Sequence, residues 1–245
     1  MKYLLSELTP GATALAVYDV QSWGVPSYAN VYILTQGDQA VLIDAGARAY
    51  EGILKAALQD IGLTTEQVRT VYLTHGHWDH VEGAAAFRQA AKFIHREDLV
   101  LVPETLAPQF SLFTDGGVGP EIQLGGRDAL EVIHVNTHSP GSVALYDAAT
   151  RILFVGDFFC FFGEELPEGK LVSDSEAVRA GCCQYVAGQA AQGGREFERF
   201  MAGLEKLLPY EPEFFCTGHG VVLQGDIRRF LTSLYESGKR NAGKK

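Results

Sequence analysis

Apolar residues recur along this chain with two periods, and the alternation between them predicts an α/β fold. In "NVYILTQGDQAVLIDAG" two β-rich runs flank the pair Gly37-Asp38, the pattern of a hairpin. "AYEGILKAALQDIG" sets Ile53, Leu54, Ala57, Leu58 and Ile61 at helical spacing, with Gly62 as the stop. "TTEQVRTVYLTHGH" opens on a capping-box pattern, Thr64-x-x-Gln67, and continues through Val71-Tyr72-Leu73 as a buried strand. "VEGAAAFRQAA" predicts a helix directly after it. Farther on, "ALEVIHV", "SVALYDAATRILFVGD" (two strands about a turn at Asp147–Thr150) and "PEFFCTGHG" read as strands. "GREFERFMAGLEKLL" and "DIRRFLTSLYESG" read as helices. No repeat or linker divides the chain, so residues 1–245 are expected to form a single domain, with residues 239–245 as a frayed basic tail.

One stretch has no rhythm. "VPETLAPQFSLFTDGGVGPEIQLGGRD" is rich in glycine and proline, and so long a loop in a compact domain is functional or mobile. Residues 103–127 are therefore a candidate lid, with Phe110, Leu112 and Phe113 as candidate substrate contacts; the alternative is that these residues cover a sheet edge.

Charge and composition narrow the partners. A formal charge of −10 disfavours a phosphate backbone, which is bound through basic patches. No stretch reaches the length of a membrane span, and the N-terminus, interrupted by Ser6 and Glu7, makes a poor signal peptide. Cys160, Cys182, Cys183 and Cys216 show no framework spacing, which points to reduced thiols. The expectation is a cytoplasmic protein acting on a small molecule, without nucleic acid or membrane as partner.

The chemistry concentrates in "THGHWDH". Three of the chain's seven histidines fall between His75 and His80. Imidazoles this crowded repel once protonated and add nothing to an apolar core, so they point to a metal. His75 and His77, two apart at the end of an extended run, face the same side. Asp79 and His80 lie on the turn that follows and aim at a neighbouring point, which suggests two ions. Further candidate ligands stand at strand ends: His138 in "NTHSPGS", Asp157 in "LFVGDFF" and His219 in "CTGHG". His134 reads as a strand residue, His95 as a helix start or cap, and Cys216 as a small buried hydrophobe. The run "FFCFFG" after Asp157 either lines an acyl pocket or joins the core, with core expected for half of it. Trp78 packs over the site or against the sheet.

"LIDAG", "THGHWDH", "THSPGS", "FVGD" and "TGHG", spanning residues 42 to 220, together resemble the metallo-β-lactamase-fold superfamily. The resemblance implies a four-layer αβ/βα sandwich with a dinuclear site between the sheets. His75, His77 and His138 would hold one metal, Asp79, His80 and His219 the other, and Asp157 would bridge them. Asp44 would orient a ligand histidine, or else serve only as a turn aspartate at a strand end. Two divalent ions are implied, zinc first, with iron or manganese as alternatives. Such a pair binds hydroxide near neutral pH, and Asp79 is placed to take its proton. The implied activity is metal-assisted hydrolysis of a small ester-like substrate, a thioester, lactone or related carbonyl ester.

Within the superfamily the chain is similar to glyoxalase II in all seven ligands, without evidence of that enzyme's helical C-terminal domain. N-acyl-homoserine lactonases share the set, but their substrate-facing tyrosine would fall at Cys160. A phosphodiesterase is an alternative, although its ribonuclease branch needs basic surfaces. From another class, persulfide dioxygenases use a single iron and differ in the stretch after the bridging aspartate. Diiron flavoproteins carry glutamate at the second motif histidine and append a flavodoxin domain. A non-catalytic binding module is the third option.

Overall fold

The computed structural model describes residues 2–113 and 130–241. Among these residues the elements form two consecutive sets. The first comprises β1 (Lys2–Thr9), β2 (Ala12–Tyr18), β3 (Tyr28–Gln36), β4 (Gln39–Ile43), α1 (Glu51–Asp60), β5 (Val68–Tyr72), α2 (Trp78–Val81), β6 (Ala91–Ile94) and β7 (Phe110–Leu112). The second comprises β8 (Glu131–His134), β9 (Val143–Asp147), β10 (Ile152–Gly156), β11 (Val172–Ser173), α3 (Glu176–Gln192), α4 (Arg195–Leu207), β12 (Phe214–Thr217), β13 (Val222–Gln224) and α5 (Ile227–Asn241).

Each set builds one mixed sheet. The first sheet runs β1-β2-β3-β4-β5-β6-β7, and the second β11-β13-β12-β10-β9-β8. In the first, strands pair antiparallel up to β4 and parallel from β4 to β7. Period-two alternation sorts its side chains. Ala14, Ala16, Tyr32, Leu34, Val41 and Ile43 face the second sheet, whereas Leu15, Val17, Val31, Ile33 and Leu42 pack with Leu54, Ala57 and Leu58 of α1. The second sheet likewise shares its core with α3, α4 and α5; Phe215 of β12, for example, meets Phe230 of α5 edge-on at 5.6 Å. Helices thus cover both outer faces of two stacked sheets, the αβ/βα sandwich implied by the motifs.

Several expected elements form as read. Gln36 and Gln39 are register partners, leaving Gly37-Asp38 as a two-residue turn. The Thr64 amide donates to Gln67 Oε1 (2.8 Å), closing the capping box at the start of a 3₁₀ turn. Asp147 accepts from the amides of Ala149 and Thr150 and from the Thr150 hydroxyl, pinning the β9–β10 turn.

Two expectations are corrected. The helix read over "VEGAAAFRQAA" is instead α2 followed by a 3₁₀ turn, Glu82–Ala86, because the chain must swing out at Phe87 to enter β6. The rhythmless stretch begins with structure: β7 pairs parallel with β6. Phe113 is buried and stacked on Tyr72, and Phe110 and Leu112 pack on the α1 side of the sheet, so the three cover the sheet edge. Residues 114–127 of the candidate lid lie outside the described residues, as do 242–245 of the tail, whose first positions extend α5. No helix among the described residues is long and apolar enough to cross a membrane.

Candidate metal centre

Strand ends from both sheets deliver the candidate ligands to one place. Beyond β4 the chain turns at Asp44, whose φ of 60° is left-handed. That turn swings its carboxylate under the end of β5, where it accepts from the Thr74 amide (2.8 Å) and hydroxyl (2.8 Å). Past Thr74 come His75, Gly76 and His77, the last being the N-cap of α2, so Asp79 and His80 ride on the first helical turn. On the opposite sheet β10 and β12 run parallel, with Gly156 opposite Thr217, so Asp157 and His219 emerge side by side. A Cβ on Gly218 would sit 2.1 Å from Asp157 Oδ1, and only glycine lets the two loops close this far. His138 stands between β8 and β9 at φ 71°. Asn30 Nδ2 donates to the carbonyls of Thr217 (3.0 Å) and Gly220 (2.8 Å), tying the first sheet to the turn that carries His219.

The donor atoms converge. Tetrahedral ligands about 2.1 Å from an ion stand about 3.4 Å from one another. His80 Nε2 lies 3.4 Å from His219 Nε2 and 3.4 Å from Asp79 Oδ2, while His219 Nε2 is 3.1 Å from Asp79 Oδ2. Asp157 reaches both groups: Oδ1 is 3.4 Å from His80 Nε2, and Oδ2 is 3.4 Å from His138 Nε2 and 3.5 Å from His219 Nε2. His77 Nδ1 is 2.8 Å from His138 Nε2. Three trios of these residues have donor atoms within 4.8 Å of one another: His75–His77–His138, Asp79–His80–His219, and His75–His80–Asp157, which spans the first two. His75 Nε2 is buried without a hydrogen-bond partner, a costly state for a polar atom that a coordinated cation relieves. The residues present therefore fit a metal.

Local partners set the tautomers and the charge. His80 Nδ1 donates to Asp44 Oδ2 (2.9 Å), which leaves Nε2 as the ring nitrogen turned toward the other donors. Burial lowers the pKa of His75, and the neighbouring rings of His80, His138 and His77 lower it further, so the ring stays neutral. For Asp79 burial pushes upward, but hydrogen bonds from His219 and His80 outweigh it and hold the carboxyl well below its ordinary range. Burial opposes a charge on His80, yet the carboxylates of Asp157 and Asp44 win and raise its pKa. A cation is thus welcome at this spot.

The remaining candidates take supporting places. His95 caps the 3₁₀ turn Arg96–Leu101, its Nδ1 accepting the Glu97 amide (3.3 Å). Its ring stacks on His134, whose Nε2 donates to the Pro140 carbonyl (2.8 Å) and so braces the loop of His138. Cys216 is buried in the core. Of the aromatic run, Phe158 and Phe161 are buried, Phe159 is half-buried against the same core, and Phe162 is exposed. Trp78 is part-exposed and stacks on Trp23 at 5.2 Å, at the rim beside His219.

Sequence reading overlooked Asp98. Fully buried, it accepts from the Gly76 amide (2.8 Å), the Ser139 hydroxyl (2.5 Å) and the Gly141 amide (2.6 Å). In "HREDLV" it looks like any acid in a first helical turn, and no spacing marks it.

An αβ/βα sandwich with histidine and aspartate donors converging at its strand ends is the frame of a metal-dependent enzyme class. The chain belongs to the metallo-β-lactamase superfamily, whose sequence signature matches residues 24–219. It is 26% identical over 237 residues to the probable metallo-hydrolase YflN of Bacillus subtilis, covering 84% of this chain and 86% of that protein. A hydroxyacylglutathione hydrolase of Ruegeria pomeroyi is 29% identical over 196 residues, 77% of this chain and 61% of that one. Among solved structures, a mutant flavo di-iron protein from Thermotoga maritima superposes with a TM-score of 0.75 at 18% identity. That match covers 96% of this chain but only 62% of the longer partner, and at such identity it speaks for the fold alone.

Proposed function

We propose that this protein is a dinuclear metal-dependent hydrolase of small carbonyl esters: thioesters, lactones or related molecules. The observation that carries the reading is the convergence of five imidazoles and two carboxylates, with Asp79, His80, Asp157 and His219 at spacings of 3.1–3.5 Å that suit a shared ion. Hydrolases among the relatives support it. His75, His77 and His138 would hold one ion and Asp79, His80 and His219 the second, with Asp157 reaching both. Zinc suits a donor set so rich in imidazole, with iron or manganese as alternatives. Two such ions, when bound, would supply an activated water nucleophile at neutral pH and Lewis acidity toward the substrate carbonyl.

The chain's own groups do the rest. Asp44 holds the His80 ring in the tautomer that presents Nε2. Asp79, ionised among His219 and His80, accepts the proton of the attacking water and passes it to the leaving group. The net charge of −10 favours small-molecule partners over nucleic acid. Four free cysteines fit a reducing, cytoplasmic setting.

Metal analysis joined to a side-by-side assay tests the proposal. The expected result is two zinc equivalents and higher kcat/KM on acyl thioesters and lactones than on bis-p-nitrophenyl phosphate or RNA. His77→Ala should lose metal and several orders of magnitude of turnover. Iron with no esterase activity would move the chain to the oxidoreductases, and faster phosphodiester cleavage to the phosphodiesterases.

A further inference from the structure

A cavity of about 1190 Å³ opens beside the metal centre and runs between α3 and α4. His138 and Asp157 line it at the metal-centre side, and Phe158, Phe159, Tyr185 and Phe200 are among its other walls. These rings touch one another: Phe158 stacks on Phe200 at 4.9 Å, and Phe159 meets Tyr185 edge-on at 6.2 Å and Phe200 at 6.3 Å. Tyr185 is 61% exposed, a large aromatic side chain left open to solvent at this lip. Along α3 the lining positions Ala177, Gly181, Tyr185 and Gln189 recur every four residues, so one helix face forms a trough roughly 18 Å long.

Charge in the trough excludes one kind of guest. Among the described residues Arg199 is the only Lys or Arg that lines it, against Asp157, Glu164 and Glu196. Such walls offer no cradle for phosphates or for a peptide rich in carboxylates, whereas the aromatic rings offer area to an uncharged apolar group. Resting on the hydrolase reading above, we infer that the α3–α4 trough binds the acyl half of the substrate, and that this half is a neutral aliphatic or aromatic group several carbons long. Selectivity then comes from apolar burial, at about fourfold per buried methylene.

Gly181 supplies the test. It lines the trough in mid-helix, and a Cβ built there meets nothing within 4 Å. A larger side chain therefore projects into the cavity, and leucine is also the better helix former. With acetyl, hexanoyl and decanoyl thioesters of one small neutral thiol, kcat/KM of the metal-loaded protein should rise at least tenfold from acetyl to hexanoyl. Hexanoyl-coenzyme A should be the poorer hexanoyl donor. Gly181→Leu should pull the hexanoyl-to-acetyl ratio toward one, and Tyr185→Ala, at an exposed side chain, should lower it severalfold even if the leucine variant folds badly. Calorimetric binding of hexanamide to wild type, weakened in Gly181→Leu, reads the trough without any turnover. Hexanamide binding that depends on Gly181, with no thioester or lactone hydrolysed, keeps the trough and removes the hydrolase reading. A flat acyl profile, or a ratio and hexanamide affinity indifferent to both substitutions, overturns the inference.

Discussion

Asp98 accepts the hydroxyl hydrogen of Ser139 at 2.5 Å, and through that contact the two loops bearing His77 and His138 are joined. The same carboxylate takes the amides of Gly76 and Gly141, so these three donors all come from the loops that carry the candidate ligands. Asp98→Asn places an NH₂ against at least one of these N–H donors. A buried donor left unmatched costs about 1–3 kcal/mol, and loosened ligands lose affinity. The expected outcome is a lowered melting temperature and a metal Kd raised about tenfold or more, measured by chelator competition. Ser139→Ala should do the same more mildly. Unchanged metal affinity in Asp98→Asn would show that the loops hold their places without it.

Asp44 separates orientation from coordination. Its Oδ2 accepts from His80 Nδ1, while Thr74 occupies the rest of the carboxylate. Asp44→Asn should weaken metal binding about 10- to 100-fold, the usual effect of losing a partner behind a ligand histidine. A variant that binds metal as wild type does would leave Asp44 as a turn residue at φ 60°.

On the proposed hydrolase reading, Asp79→Asn would keep an oxygen for the ion but remove the proton acceptor. Partial metal retention is expected, with kcat reduced about 10²-fold or more. Stopped-flow rates on metal-replete protein decide it: near-normal kcat with both ions bound would make Asp79 a ligand only.

Alkaline pH should erode stability through Tyr72. Burial between the sheets, stacked on Phe93 and Phe113, pushes its pKa up to about 12. In the unfolded chain a tyrosine ionises near about 10. Between these values the unfolded state has released a proton that the native state retains, so stability is full below about pH 10 and declines as the pH climbs toward about 12. Urea midpoints at pH 8 and pH 11 should differ, and Tyr72→Phe should shrink the difference. An equal decline in both proteins would assign the loss to other groups.

What could be read in advance follows from local physics. The Gly37-Asp38 hairpin, the α1 stripe and the Thr64 capping box depend on neighbours in the chain, and each stands where its pattern put it. The donors of "THGHWDH" were visible because so dense a run of histidines has few structural uses. α3 escaped notice because its buried face is Arg179, Cys182, Val186 and Ala190, too small and mixed to make a stripe. β7 hid in a proline-containing stretch whose strand character comes from pairing with β6. The alanines after His80 favour a long helix by propensity, and the path into β6 overrides them. Asp98 became visible only when the loops of Gly76 and Ser139, 22 and 41 residues away from it along the chain, were brought together around it.

Among the described residues the sheets use the chain in strict succession: the strands of the first precede residue 113, and those of the second follow residue 130. Asp44 and the four donors of residues 75–80 therefore belong to one half, while His138, Asp157 and His219 belong to the other. In effect the centre is an interface between two partners that happen to be covalently linked. Two separate polypeptides, 1–113 and 130–245, would each carry a whole sheet and an incomplete set of donors. Mixed together, they should regain a metal-binding unit that neither forms alone, with the ion acting as the glue that reports their reunion.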